Sequence, residues 1–112
     1  MRLWRSSSET LSRRWYNAIW RRDYSGACGL FSVVFKPVAQ AKVNALLNAL
    51  SLFGMGASWG GYESLVIPSN FKRTAKEFAH QGPLIRFHAG LEDADDLIAD
   101  IDEAFARMKA AS

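Results

Sequence analysis

Residues 84–105, LIRFHAGLEDADDLIADIDEAF, contain the two clearest structural patterns in this chain. The opening LIRFHA alternates in polarity and predicts a strand over residues 84–89, which Gly90 ends. Beyond Gly90, apolar side chains recur at helical spacing over about four turns. These are Ala94, Leu97, Ile98, Ile101, Phe105 and Met108. Acidic residues fill the first half and basic ones the last turn, so a solvated face of a helix explains the charge run.

Similar patterns lie upstream. Residues 30–35, LFSVVF, are β-branched and aromatic and predict a strand. Pro37 suits the first position of a helix, and the apolar residues that follow are spaced for one, namely Val43, Leu46, Leu47 and Leu50. Residues 52–53 predict a short strand before a loop over 54–61. Residues 63–67 predict another strand, which Pro68 ends because proline cannot donate to a central ladder.

The remaining segments predict connections. Residues 23–26 have turn composition, and residues 69–81 are polar, with a helical turn indicated around 74–78. The order of elements is therefore strand, helix, strand, loop, strand, connector, strand and helix. A small sheet with helices packed on one face satisfies this order. The other face of the sheet is then exposed, or covered by something outside these elements.

Length and composition set outer limits. The 112 residues, 49% of them hydrophobic, fit one small domain with a core. Cys28 is the only cysteine, so the chain forms no internal disulfide and no cysteine-based metal cluster. A reduced, cytoplasmic setting is the simplest interpretation. No apolar run approaches the roughly 18–20 residues of a membrane span.

The first 18 residues form a basic, aromatic arm for which we predict an irregular or weakly helical extension. Arginines crowd the start of the chain at Arg2, Arg5, Arg13, Arg14, Arg21 and Arg22, and tryptophans lie between them. Such an arm can bind nucleic acid through phosphate contacts and stacking, and its composition also resembles a targeting peptide. We favour a loosely ordered extension, and regard nucleic acid as an unlikely partner.

Few residues suggest chemistry. His80 and His88 lack partners at metal-ligand spacing, and the nucleophile-elbow, P-loop and dinucleotide-binding motifs are absent, so no catalytic, metal or cofactor residue is predicted. Arg86 lies within an apolar strand, where it either reaches solvent or receives an anion; its planar fork suits a carboxylate. The loop at Ser58, Trp59 and the two following glycines offers a hydroxyl and open backbone N–H groups. Arg86 and this loop form a carboxylate pocket if the strand and the loop are neighbours.

Three stretches resemble one family. SLFGMGASWGGYESLVIP (51–68), LIRFHAGLEDADDLIADIDEAF (84–105) and WRRDYSGACGLFSVVF (20–35) are similar to the C-terminal domain of cystathionine β-lyases, in the Cys/Met metabolism family of pyridoxal-phosphate-dependent enzymes. The resemblance covers about residues 19–108, so we assign 1–18 to the extension and 19–112 to the domain. It implies an α/β (α+β-like) fold with a small, mostly antiparallel sheet and helices on one face, as in fold-type I enzymes.

The resemblance also implies site roles. Arg86 and Ser58 would bind the α-carboxylate of an amino-acid substrate, and Trp59 would line the same pocket. The implied reaction is β-elimination of L-cystathionine to homocysteine, pyruvate and ammonia. In the family, the Schiff-base lysine and the phosphate-binding groups lie in a large domain upstream.

We therefore expect a truncated or frameshifted chain, inactive alone and without pyridoxal phosphate of its own, whose partner is a large domain that is missing or separately encoded. Its uncovered surface is expected to favour self-association. The alternative is an independent small binding protein that uses the N-terminal arm.

Overall fold

The computed structural model describes residues 4–5, 16–26, 28–70 and 82–111. Within them, five strands and three helices follow one another along the chain. They are β1 (Trp4–Arg5), α1 (Tyr16–Asp23), β2 (Leu30–Phe35), α2 (Gln40–Ala49), β3 (Gly54–Met55), β4 (Leu65–Ser69), β5 (Leu84–His88) and α3 (Ala94–Ala110).

The strands form one sheet in the order β1-β2-β5-β4-β3. All neighbouring pairs are antiparallel except β3 and β4, which are parallel. The mostly antiparallel α/β fold predicted from the sequence is therefore confirmed. Because parallel neighbours need a crossover connection, residues 56–64 cannot turn back tightly between β3 and β4, and they leave the sheet instead.

Helices α2 and α3 cover one face of the sheet. Val33 pairs with Ile85, and Val66 pairs with Phe87, so their side chains point to the same side and are buried there. The helices contribute the rest of this core through Val43, Leu46, Leu97, Ala104 and Met108. Burying each large apolar side chain stabilises the fold by about 1.5–3 kcal/mol. This layer holds β5 rigidly and so fixes the position of everything on its other face.

The opposite face of the sheet is not covered by α2 or α3. Its central row is Ser32, Arg86 and Ile67, which lie side by side across β2, β5 and β4. All three are only half-buried. We call this surface, with Leu30, Leu65 and His88 of the neighbouring row, the open face.

The segment between α2 and β4 differs from its prediction. The predicted strand at residues 52–53 is wrong, and β3 follows at Gly54–Met55 instead. The backbone N–H of Leu52 donates to the carboxylate of Asp100 rather than to a strand, at 2.9 Å. Phe53 is buried against the edge of the Phe87 ring. Tertiary contacts with α3 and the core thus take these residues out of the sheet.

Two boundaries set by proline also differ. Helix α2 begins at Gln40, with Ala39 as its N-cap, so Pro37 lies outside the helix. Strand β4 begins two residues later than predicted and continues through Pro68 to Ser69. The carbonyl of Val66 accepts from Gly56 N, so alternate residues of β4 turn their backbone toward β3. Pro68 faces that side beyond the end of β3, where a missing N–H costs nothing.

The remaining predictions hold in part. Strand β2 has its predicted bounds, β5 ends one residue early at His88, and α3 runs two residues past the predicted pattern. Within the arm, for which an irregular or weakly helical structure was predicted, β1 pairs with β2, and α1 begins at Tyr16. The rest of the arm, and the helical turn indicated around residues 74–78, lie outside the described residues. No helix in the described ranges is long and apolar enough to cross a membrane.

Candidate functional site

Arg86 and the loop over residues 56–64 are in direct contact. Arg86 lies on the open face of β5, and its Nη2 donates to the carbonyl of Ala57 at 2.8 Å. The condition that the sequence left undecided, that strand and loop are neighbours, is therefore met. A guanidinium carries five N–H donors, so this single bond leaves others for a ligand and also restrains the plane of the fork.

His88 extends the same contact along β5. Its Nε2 lies 3.3 Å from the carbonyl of Gly61, and since a carbonyl only accepts, Nε2 must carry the proton in this contact. Nδ1 is buried without a partner among the described residues. Sequence reasoning predicted only that His88 is not a metal ligand, and it missed the contact of His88 with the loop. Its position two residues after Arg86, on the same face of the strand, is the pattern that indicates this role.

Ser58 and Trp59 lie at the outer turn of the loop. The hydroxyl of Ser58 donates to the carbonyl of Gly60 at 3.1 Å, and the ring of Trp59 is 75% exposed. Gly61 has φ +136°, which side-chain-bearing residues rarely adopt, and this accounts for the second glycine of the pair. The structure therefore places Arg86 against the backbone that precedes Ser58, with the Trp59 ring open to solvent.

A shallow depression of about 150 Å³ lies beside the loop. It is lined by Ser58, Gly60, Gly61, Tyr62, Glu63 and Leu65, and Arg86 does not contribute to the lining. Complete ligand pockets usually enclose roughly 300–1,000 Å³. The depression is smaller and open, so it is suited to form one wall of a site that another surface completes.

Ser64 and Glu92 form a second attachment of the loop, which sequence reasoning missed. Ser64 is 1% exposed, and its backbone N–H and hydroxyl both donate to the Glu92 carboxylate, at 3.1 and 2.6 Å. The Ser64 hydroxyl is the main cause that lowers the pKa of Glu92, and the Ser64 N–H adds to it. Glu92 precedes the N-cap Asp93 and is thus outside the helix. Its attribution to a solvated helix face was wrong.

Asp100 is another acid that is not on a solvated face. It is 9% exposed and accepts from the backbone N–H groups of Ser51 and Leu52, at 2.8 and 2.9 Å. The spacing carried a usable signal, because Asp100 lies three residues after Leu97 and four before Ala104, both buried. Asp100 therefore ties α3 to the segment that leads into β3 and the loop.

The described residues do not fit pyridoxal phosphate on their own. Lys42 Nζ donates to the carbonyls of Met108 and Ala111, at the end of α3 and away from the open face. No lysine lines the depression. In the part of the chain that the structure describes, no group of three potential metal ligands occurs. Lys72 and Lys76 lie outside that part.

Comparison with known proteins gives consistent matches. Residues 10–106 match the family model of Cys/Met metabolism PLP-dependent enzymes. The chain is 46% identical over 98 residues to cystathionine beta-lyase from Salmonella typhimurium, covering 82% of this chain and 25% of that protein. It is 46% identical over 95 residues to cystathionine beta-lyase MetC from Escherichia coli, covering 80% and 24%. The chain thus spans about a quarter of the length of these relatives.

Solved structures agree. The fold matches cystathionine gamma synthase from Xanthomonas oryzae pv. oryzae, in complex with cystathionine, with a TM-score of 0.63 and 26% identity. This match covers 84% of this chain and 26% of that one. The family match begins at residue 10, within the segment interpreted as an extension. The boundary between residues 18 and 19 stays a prediction.

Proposed function

The chain belongs to the Cys/Met metabolism family of PLP-dependent enzymes, and we propose that it supplies the substrate-carboxylate half of a carbon–sulfur lyase site. The observation that carries this proposal is the 2.8 Å bond from Arg86 to the carbonyl of Ala57. It joins the arginine predicted to bind the carboxylate to the loop that carries Ser58. A carboxylate bound at this contact would meet the guanidinium directly, and the Ser58 hydroxyl would have to turn from the Gly60 carbonyl to reach it.

Arg86 would act by orientation. Two parallel N–H donors of a guanidinium bind both oxygens of a carboxylate and so define a plane, whereas an ammonium acts as a point charge. A carboxylate held in a plane fixes the rotation of the substrate about its Cα, and hence which substituent of Cα faces the rest of the site. Ser58 would add a single hydrogen bond, and the exposed Trp59 ring would limit the access of water.

We propose L-cystathionine as the substrate and β-elimination to homocysteine, pyruvate and ammonia as the reaction. Support comes from 46% identity to two proteins named cystathionine beta-lyase. Pyridoxal phosphate, bound by a large domain, would supply the electron sink for bond cleavage. The described residues offer no lysine to hold it near Arg86, so we propose that these 112 residues are inactive without that domain.

The large domain is therefore the proposed partner, and the open face and the loop are the surfaces that it would cover. The partly lined depression and the half-buried central row of the sheet support this assignment. The cytoplasmic setting indicated by the single cysteine stays a prediction. A role for the basic arm in an independent binding protein has no comparable support.

The test is a joined enzyme. The 112-residue chain is fused to the large domain of the Escherichia coli relative, and kcat/KM for L-cystathionine is measured for the parent and for variants. Arg86→Lys should cost about 2–4 kcal/mol in kcat/KM, because the bidentate pair is lost. Ser58→Ala should cost about 1 kcal/mol, as expected for one neutral hydrogen bond.

Arg107→Lys is the matched control. Arg107 pairs with Glu103 on the exposed side of α3, so the same substitution there should leave kcat/KM unchanged. An Arg86→Lys enzyme with parental kcat/KM would mean that the carboxylate is held elsewhere, and the site assignment would be wrong.

A further inference from the structure

The loop over residues 56–64 is hydrogen-bonded at several points to β5 and to the turn that follows this strand. Arg86 and His88 are alternate residues of β5, so their side chains face the same side, and Gly90 follows two residues after the end of the strand. Each makes a contact with successive parts of the loop. The order of these contacts follows the chain, from the start of the loop at Arg86 to its end at Gly90. The outer turn with Ser58 and Trp59 projects between the attached ends.

Ser64 is the centre of the attachment at the end of the loop. Besides the two bonds to Glu92, its hydroxyl accepts from Gly90 N at 2.8 Å, and its carbonyl accepts from Gly54 N at 3.0 Å. One buried residue thus joins the strand edge at β3 to the turn between β5 and α3. All of its polar groups are engaged, which leaves none for a ligand.

The backbone packs closely at the same place. A Cβ added to Gly90 would lie 2.3 Å from the carbonyl oxygen of Tyr62 and 2.7 Å from Ser64 N. Only glycine allows this approach. The N–H of Leu91 donates to the same Tyr62 carbonyl at 2.9 Å. The end of the loop and the turn after β5 are therefore held together by close packing and hydrogen bonds over several residues. The Glu92 carboxylate, which lies just before α3, adds two hydrogen bonds from Ser64.

We propose that Ser64 and Glu92 are positioning residues of the carboxylate site. Their hydrogen bonds, here called the Ser64–Glu92 clasp, set the position of the loop relative to Arg86 and thereby the affinity of this surface for a carboxylate. The proposal rests on the proposed function, in which Arg86 and the loop bind one carboxylate. The clasp contacts no ligand itself, because Ser64 is buried and the Glu92 carboxylate accepts both Ser64 donors.

Two variants weaken the clasp to different degrees. Ser64→Ala removes the hydroxyl and leaves Gly90 N and one Glu92 oxygen without this partner. Glu92→Gln keeps the size of the side chain, and its amide oxygen can still accept from Ser64 N. The amide nitrogen then faces the Ser64 hydroxyl and can only donate to it, so the short bond from the hydroxyl to a carboxylate is lost. Glu92→Gln therefore serves as the milder variant if Ser64→Ala fails to fold. Glu103→Gln makes the same charge change on the exposed side of α3 and is the control.

The first measurement uses the full 112-residue chain and does not depend on any ligand. Amide hydrogen exchange is followed by NMR for Gly56 and Leu91, whose N–H groups donate to the carbonyls of Val66 and Tyr62 at the two ends of the loop, and for the core of β5, together with the free energy of unfolding. If the clasp positions the loop, both variants raise exchange at Gly56 and Leu91 by at least about fivefold while exchange in β5 changes only with global stability. The control leaves the loop unchanged.

The second measurement tests the consequence for binding. The same chains are titrated with acetate, the simplest carboxylate, and with chloride at matched ionic strength, while the Arg86 Nε–H signal and the loop amides are recorded. The parent should show a shift specific to acetate that Arg86→Lys abolishes. Ser64→Ala and Glu92→Gln should weaken acetate binding by about threefold or more, the range of one lost hydrogen bond.

The outcomes separate the two proposals. Unchanged loop exchange in both variants overturns the clasp, whatever acetate does. Faster loop exchange with parental acetate affinity also overturns it, since the loop position would then not matter for the carboxylate. A parent that shows no acetate-specific shift at Arg86 contradicts the proposed function, and the exchange data then decide whether the clasp holds the loop.

Discussion

Glu92 is a residue whose pKa is lowered by its neighbours in the fold. The Ser64 hydroxyl, and then the Ser64 N–H, stabilise the carboxylate and lower the pKa of Glu92 in the folded chain. A lowered folded-state pKa contributes stability that is present above the unfolded pKa, about 4.3 for glutamate. This contribution is lost as the pH falls through the lower pKa of the folded chain.

We therefore predict that Glu92→Gln makes the free energy of unfolding less dependent on pH below about pH 5. The difference in free energy of unfolding between parent and Glu92→Gln should be largest above about pH 5 and shrink on acidification. Urea unfolding at pH values from about 7 down to about 3 measures it. Glu103→Gln controls for the loss of one surface charge. A constant difference across this range would show that Glu92 is not a source of the pH dependence.

At this scale, sequence reasoning found residues by their pattern and missed those defined by contacts. Arg86 was located because apolar residues flank it within its strand. The alternation of side chains along a strand then places Arg86 on the face of the sheet opposite to its two neighbours. Glu92 and Asp100 were grouped with the solvated acids because a charge run carries no information on which carboxylate meets a backbone N–H. Only the position of Asp100 between Leu97 and Ala104, on the buried stripe of the helix, offered a clue.

Helix α3 makes hydrogen bonds at both of its ends and at Asp100 in its middle, and several of them join it to neighbouring elements. Asp93 caps its first turn by accepting from Asp95 N, and Lys42 of α2 donates to its last carbonyls. Between these ends, Asp100 accepts two backbone N–H groups from the segment before β3. The helix thus holds in place the chain that leads into the loop, in addition to covering the sheet.

We predict that Asp100→Asn destabilises the fold by about 2–3 kcal/mol. The amide oxygen can accept from one of the two N–H groups, but the amide nitrogen then faces the other donor. Asp102→Asn, on the exposed side of the same helix, is the matched control and should change the free energy of unfolding by less than about 0.5 kcal/mol. Urea unfolding at neutral pH compares them. Equal midpoints for both variants would show that the buried carboxylate adds nothing.

Element types were predictable where the hydrophobic period was long, and boundaries were not where tertiary contacts decide them. The period of α3 extends over many residues, so both its type and its start at Ala94 were predicted. The short β3 was misplaced because residues 52–53 are apolar like a strand but bind to Asp100 and the core. The prediction that Pro68 ends the strand was wrong for a related reason. Proline disrupts a strand only at a position where a backbone N–H would be needed to donate to the neighbouring strand.

On the scale of the whole molecule, the sheet has two unequal faces. One face is sealed by α2 and α3, while the open face presents half-buried apolar residues around Arg86. The relatives are about four times longer than the matched segment, and a family resemblance read from the loop and strand motifs anticipated this relation. Periodicity alone predicted the open face but nothing about what would cover it.

The open face predicts self-association of the isolated chain. Apolar patches of several hundred Å² on a monomer tend to pair with each other, and the exposed Trp59 lies on the loop that contacts this face. Sedimentation velocity should show a monomer–dimer equilibrium that shifts with concentration. Ile67→Thr, at the centre of the face, should weaken it while keeping a β-branched residue in β4.

Ile98→Thr separates this effect from a general loss of apolar surface. Ile98 is 57% exposed on α3, and the same substitution there removes similar apolar area away from the open face. If the open face mediates association, only Ile67→Thr shifts the equilibrium toward monomer. Addition of the large domain should compete with dimerisation for the same reason, since both would use one surface. A parent that stays monomeric at high concentration, or equal effects of both variants, would contradict this prediction.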